Sequence, residues 1–323
     1  MRHLVIAEEQ YLTQIQNTVE PYLKAHERVL WLERETGRKI YCLNYRADRP
    51  RGVVVIAHGF TETAEKYREI LYYFVKRGYR VYMPEHCGHG RSYRMTDDPS
   101  LVHIDHWQRY VDDLLYVAHR ARRESRGLPL YVFGHSMGGG IAAAAAAVEP
   151  GLFRKVVLSS PMIRPLTGKV PWRTARRIAA FFCLTGKNQR YVAGQHPYEG
   201  KENFEKSSSL SKVRFDYYQE KKKKEPLFQT NAASYGWLYE AAKLNRYLQR
   251  TGWRKIQAPV LLFQAEREKL VSKREQEKFA RKLARGRKVY LIKVPGSKHE
   301  IFNADAGTAE RYWRRIFYFL ERE

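Results

Sequence analysis

The sequence predicts an α/β protein: a mostly parallel sheet of eight strands, helices on both faces, and a helical segment inserted late in the chain. Three observations predict it. Short apolar runs of strand type alternate with longer amphipathic stretches. The alternation breaks once, between residues 161 and 255, and strand-like runs then resume at Val260. A chain of 323 residues with 44% apolar content can bury a substantial core, so wholesale disorder is excluded.

Taken in order, the strand-like runs are 29–34, 39–45, 53–57, 79–83, 130–133, 155–159, 260–264 and 288–293. The first two flank Glu35-Thr36-Gly37-Arg38 and read as an antiparallel hairpin. The rest are separated by helical patterns at 66–77, 105–123, 137–148, 273–284 and 308–320. Such alternation is that of a doubly wound sheet carrying an antiparallel edge. Residues 161–255 hold basic, aromatic and Ser-rich stretches and no convincing strand. We read residues 1–160 and 256–323 as the core, and 161–255 as a helical cap over the C-terminal edge of the sheet. A separate downstream domain is excluded, because the strand pattern returns after the insertion.

Charge is the unusual feature of the composition. Lys and Arg number 59 against 34 Asp and Glu, a net of +25. The 161–255 stretch alone holds 20 Lys/Arg against 7 Asp/Glu, about half of that excess. An excess of this size favours encounter with polyanions: nucleic acid, anionic lipid surfaces or negatively charged substrates. Three scattered cysteines (Cys42, Cys87, Cys183) argue against a disulfide framework or a Cys-rich zinc site, and for a reducing compartment. The start of the chain turns acidic at Glu8-Glu9 before a signal-type apolar stretch develops, and no run of about 18 apolar residues occurs. The expectation is a soluble, cytoplasmic protein able to sit on the inner membrane surface.

Gly134-His135-Ser136-Met137-Gly138 follows the apolar run 130–133 and opens the helical run from Gly139. Strand, sharp turn, helix, with G-x-S-x-G at the turn, is the setting of a nucleophilic serine in the α/β-hydrolase fold. The glycines are needed because the serine sits in strained backbone, and side chains beside it would strike the adjoining strand and helix. Acyl transfer also needs two N–H donors for the oxyanion. In this fold they come from the third-strand loop and from the residue after the nucleophile, here Phe60 and Met137. His58, at the end of that strand, is read as bracing the loop. His299, in Val294-Pro295-Gly296-Ser297-Lys298-His299-Glu300, follows the last strand and is placed to act as general base. The orienting carboxylate must fall between them in the chain, after run 260–264. Glu266 and Glu268 compete there, and the count from the strand end prefers Glu268.

With these residues in view, the sequence resembles the monoacylglycerol lipase/lysophospholipase branch of the serine hydrolases, nearest to its bacterial lysophospholipase L2 members. The resemblance runs over nearly the whole chain beyond Val53. It is carried by His58-Gly59-Phe60, Cys87-Gly88-His89-Gly90-Arg91-Ser92, Asp98-Pro99-Ser100-Leu101-Val102-His103, Tyr110-Val111-Asp112-Asp113-Leu114, the serine turn, Leu262-Phe263-Gln264-Ala265-Glu266-Arg267-Glu268 and His299-Glu300-Ile301. It implies an eight-stranded core with a cap between the sixth and seventh strands. It also implies hydrolysis of the carboxylic ester of a single-chain glycerolipid through an acyl-enzyme, without metal or organic cofactor. One departure is Glu85-His86-Cys87-Gly88-His89-Gly90, where the family more often has Asp-x-Arg-Gly-x-Gly; a packing consequence is expected, and no change of reaction.

Cap aromatics such as Trp172, Phe182, Tyr218, Tyr235 and Trp237 fit either the cores of cap helices or an acyl-chain tunnel. Lys221–Lys224 fits either a solvated helix face or a surface for anionic lipid. Within enzymes the alternative is a short-chain carboxylesterase or thioesterase. Outside them it is a basic membrane- or nucleic-acid-binding protein on a hydrolase scaffold, which an intact Ser, His and carboxylate set argues against. No nucleic-acid partner is expected.

Overall fold

In the computed structural model of the chain, residues 4–322 are described; the first three residues of the acidic start lie outside them. Among the described residues ten strands form: β1 Glu27–Glu35, β2 Arg38–Tyr45, β3 Gly52–Ala57, β4 Tyr79–Pro84, β5 Leu101–Val102, β6 Leu130–His135, β7 Lys155–Ser159, β8 Ala232–Ala233, β9 Val260–Ala265 and β10 Val289–Val294. Eight of them make one sheet in the order β1-β2-β4-β3-β6-β7-β9-β10. β2 runs antiparallel to both its neighbours, and every pairing from β4 to β10 is parallel. The eight runs read from the sequence are these eight strands, each shifted by two residues or fewer at its ends. This is the doubly wound sheet of an α/β-hydrolase.

The helices are α1 Tyr11–Gln14, α2 Glu20–His26, α3 Arg68–Lys76, α4 Gln108–Glu124, α5 Met137–Val148, α6 Trp172–Leu184, α7 Lys212–Lys224, α8 Tyr235–Tyr247, α9 Trp253–Lys255, α10 Lys273–Leu283 and α11 Ala306–Glu321. Successive strand residues point to opposite faces, and both faces are buried. On one face Val53, Val55, Val132, Val156, Leu158 and Leu262 pack with apolar residues of α4, α5 and α10. On the other, Val54, Ile56, Phe133, Val157, Leu261 and Phe263 pack with α2, α3 and α11. Burial on both sides is why the central strands read as unbroken apolar runs.

Residues 161–255 contain α6 to α9 and one strand, β8, that the sequence analysis does not assign. The two-residue β8 pairs in parallel with β5, and Tyr198 and Asn231 lie on Ser100. A pair this short has no periodicity to read. The helices of residues 11–26 also go unread, because a π-helical turn at Ile15–Val19 and Pro21 interrupt the regular pattern.

Candidate active site

Ser136 stands between β6 and α5 with φ 53 and ψ −119, a backbone conformation that costs of order 1–3 kcal/mol for a non-glycine residue. Its surroundings impose the turn. The Ser136 N–H donates to Ser159 O on β7 (3.0 Å), and its carbonyl accepts from Met162 N (2.7 Å). A Cβ on Gly138 would lie 2.2 Å from Ala57 O, and one on Gly134 would lie 2.5 Å from Gly138 O. Any side chain there would push helix and strand apart, so the glycines follow from the close approach of α5 to β3 and β6.

His299 lies in the loop after β10. The loop is held by Ser160 Oγ donating to the His299 carbonyl (2.9 Å) and Ser297 Oγ donating to Val294 O (2.8 Å). His299 Nδ1 lies 2.6 Å from Glu268 Oε2, in the loop after β9. The other Glu268 oxygen accepts from the N–H groups of Leu270 (2.8 Å) and Val271 (3.2 Å). The side chain of Glu268 is fully covered. Burial pushes its carboxyl pKa up, but the His299 hydrogen bond and charge and the two backbone N–H groups outweigh burial and leave it below the usual range. With Nδ1 donating to a carboxylate, Nε2 is the nitrogen left to accept a proton; it is buried and has no hydrogen-bond partner among the described residues.

Of the two competing glutamates, then, Glu268 is the one on the imidazole. Glu266 is exposed, and its Oε2 accepts from Gly296 N (2.7 Å), tying the acid loop to the histidine loop. Ser136, His299, Gly59 and Phe60 line one cavity of about 410 Å³ above the C-terminal edge of the sheet. No hydrogen bond joins Ser136 Oγ to His299 Nε2 in this conformation; serine–histidine contacts commonly close only around bound substrate. Met137, as the first residue of α5, has no intrahelical acceptor for its N–H. Phe60 N–H likewise finds no acceptor among the described residues. His58 braces the loop as read: Nδ1 donates to Gly59 O (2.8 Å) and Nε2 accepts from His86 N (2.8 Å).

A buried charge network beneath these loops escaped the sequence analysis. Lys66 Nζ bridges Glu62 Oε1 (2.8 Å) and Glu300 Oε1 (2.6 Å). Glu62 Oε2 in turn accepts from Gly59 N (2.6 Å) and Tyr67 OH (2.6 Å). Burial opposes the Lys66 charge, but Glu300 and Glu62 outweigh it and hold the ammonium protonated. Thus one lysine links the Gly59–Phe60 loop to the residue after His299. His135, between Ser136 and this network, sets its ring 4.9 Å from that of His299; burial lowers its pKa to about 3, so it stays neutral. The only local signal was Glu62 and Lys66 spaced i, i+4; the Glu300 contact spans 234 residues.

The Lys221–Lys224 run is mixed: Lys223 and Lys224 are exposed, whereas Lys221 and Lys222 are taken up by ion pairs. Lys221 pairs with Glu20 and Glu65 (3.0 Å each), Lys222 is buried on Glu202 (2.5 Å), and Lys223 pairs with Glu220 (2.6 Å). Of the cap aromatics, Tyr218 and Trp237 line the cavity, and Phe182 stacks on Tyr235 at 3.8 Å. Trp237 also rests on Phe60 (4.4 Å), steadying the loop that bears its N–H. The buried Glu85, at the point of departure from the family pattern, accepts from Ala64 N (3.0 Å) and Arg91 N (2.5 Å). A Cβ on Gly90 would fall 2.1 Å from its carboxylate, so the turn needs a glycine there. Among the described residues, no group of three or more His, Cys, Asp or Glu side chains is arranged to hold a metal ion.

Fold and cavity together define a serine hydrolase of the α/β-hydrolase class. The chain belongs to the family described as serine aminopeptidase, S33, whose profile matches residues 48–305. Lysophospholipase L2 of Escherichia coli is 27% identical over 270 residues, covering 82% of this chain and 79% of that protein. Monoacylglycerol lipase of Mycolicibacterium smegmatis is 39% identical over 122 residues, 38% of this chain and 42% of that one. The structure of a soluble variant of monoglyceride lipase from Saccharomyces cerevisiae superposes with a TM-score of 0.73 at 17% identity, over 92% of this chain and 95% of the other; at that identity it speaks for the fold.

Proposed function

We propose that the chain hydrolyses the carboxylic ester of a single-chain glycerolipid, a lysophospholipid or a monoacylglycerol. The observation that carries this reading is the shared cavity: Ser136 and His299, the latter held by Glu268, line a space that carries both apolar and polar side chains. Met162, Leu166, Trp237, Leu270 and Val271 suit an acyl chain. Gln195, Glu202, Ser207, Gln219 and Asn231 suit a hydroxylated or zwitterionic head group. The names of the L2 and monoacylglycerol lipase relatives agree with such a substrate.

In the proposed reaction His299 Nε2 takes the Ser136 proton as Oγ attacks the acyl carbonyl carbon. Glu268 holds the ring in the Nδ1–H form and stabilises the imidazolium that develops. The Phe60 and Met137 N–H groups, with the positive end of α5 behind Met137, receive the oxyanion. His299 then protonates the glycerol oxygen, the ester bond breaks, and an acyl-serine remains. Water, deprotonated by the same nitrogen, releases the fatty acid and restores Ser136. Residues 161–255, with Tyr218 and Trp237 on the cavity, form the cap in this reading. The excess of positive charge supports working contact with an anionic lipid surface; no described helix is long and apolar enough to cross a membrane.

A panel of lysophospholipids, monoacylglycerols and p-nitrophenyl esters of rising chain length, run at low and high salt, tests the reading. Hydrolysis should favour long single chains. Activity peaking at acetyl and vanishing for long chains would transfer the assignment to a short-chain esterase.

A further inference from the structure

A second cavity, of about 730 Å³, lies toward the opposite end of the sheet from Ser136, between α11 and the edge strand β10. β9 and β10 each run six residues from this end to the loops of Glu268 and His299, about 20 Å of strand. Nothing in the proposed reaction uses it. On α11 and its C-cap, Arg315, Tyr318, Phe319 and Arg322 recur at i, i+3, i+4 and i+7, one face of the helix. On β10, Tyr290 and Ile292 alternate onto one face of the strand, beside Leu261 of β9. Arg287 and Lys288 lead into β10, and Arg154 leads into β7.

Charge here is one-sided. Six of the lining residues are Lys or Arg, and none of the described ones is Asp or Glu. Lys155 is buried and already engaged, donating to Phe319 O (2.7 Å) and Arg322 O at the C-terminal end of α11. Arg287 is held by neutral carbonyls, Ile256 O (2.9 Å) and Gly286 O (2.7 Å), and keeps its charge. Among the described residues, Arg154, Lys288, Arg315 and Arg322 have no carboxylate partner, in contrast to Lys221–Lys223 on α7. Five cations thus surround one cavity, and a bound anion would relieve their mutual repulsion.

The remaining wall offers more than a bare phosphate can use. Tyr290 is 51% exposed and Tyr318 52% exposed, with Pro259, Leu261 and Ile292 lining the same space. Cations beside exposed aromatic rings take up phosphates and a flat base together. The volume falls in the range of small-molecule sites, about 300–1,000 Å³. We infer that this cavity binds a nucleoside polyphosphate, with its phosphates on Arg154, Lys288, Arg315 and Arg322 and its base stacked on the tyrosines. The site stands apart from the triad, and its occupant is a ligand and not a substrate of Ser136.

The test is titration of the full chain with ATP bearing a ribose-linked fluorophore, in competition with unlabelled ATP, inorganic tripolyphosphate and a single-stranded oligonucleotide. Binding should weaken with salt, and ATP should compete roughly fivefold or more better than tripolyphosphate. Arg315→Gln/Arg322→Gln should weaken both ligands by roughly tenfold or more. Tyr290→Ser/Tyr318→Ser should bring ATP down to the level of tripolyphosphate and leave tripolyphosphate within about twofold. Lys223→Gln/Lys224→Gln should leave both within about twofold. Fluorophosphonate labelling of Ser136 should keep the wild-type rate in every variant, since the two sites are separate. A pair that loses this labelling is replaced by Arg154→Gln/Lys288→Gln, for which the same tenfold weakening is expected. ATP that binds no better than tripolyphosphate, or a cavity pair that binds ATP like the wild type, would overturn the inference. So would binding of the oligonucleotide alone, since the face would then be a groove for a nucleic-acid strand.

Discussion

Replacing Glu268 by Ala is the most discriminating perturbation of the proposed triad. The carboxylate lies 2.6 Å from His299 Nδ1 in a fully covered site. When the imidazolium forms, an ion pair at that separation is worth about 6 kcal/mol at an effective dielectric of about 20. Desolvating the carboxylate consumes part of this, leaving about 4–5 kcal/mol, or three to four orders of magnitude in kcat at about 1.4 kcal/mol per decade. That matches the roughly 10⁴-fold loss usual when a triad carboxylate is neutralised. Glu268→Gln should fare little better, because its amide favours the wrong ring tautomer. Glu266→Ala loses one exposed hydrogen bond to Gly296 N–H, worth about 0.5–1.5 kcal/mol, and should cost less than about tenfold. The assay is kcat and kcat/KM on a soluble ester. A thousandfold loss in Glu266→Ala, with Glu268→Ala nearly intact, would refute the assignment.

Two further outcomes follow from buried charge. Lys66→Met strands Glu62 and Glu300 without their shared cation and should cost about 3–5 kcal/mol in urea unfolding, with Lys66→Arg losing less. Glu85 is pushed by burial up to about 7, against the partial relief of the Arg91 and Ala64 N–H groups. A carboxyl pKa raised on folding contributes stability that is complete below the unfolded value and is lost as pH climbs through the folded one. Wild type should therefore lose about 3 kcal/mol relative to Glu85→Gln between pH 4.5 and about 7, read from urea unfolding at each pH.

Local chemistry explains which features were legible in the sequence. β3, β6 and β9 announce themselves as apolar runs, because each is buried on both faces, and the turn at Ser136 shows its glycines because α5 nearly touches β3. His299 and Glu268 were found by chain order and by counting from a strand end. What escaped notice depends on distant segments meeting. Lys221 and Lys222 looked like surface in a run of four lysines, yet Glu20, Glu65 and Glu202 arrive from elsewhere to neutralise them. The bridge from Glu62 through Lys66 to Glu300 has no signature short of the fold itself.

Mapping the adduct of a fluorophosphonate by mass spectrometry tests Ser136 catalysis most directly. The phosphonate should lie on the peptide bearing Ser136, vanish in Ser136→Ala, and form far more slowly in His299→Ala. An adduct on any other side chain, or labelling of Ser136→Ala at the wild-type rate, would contradict it.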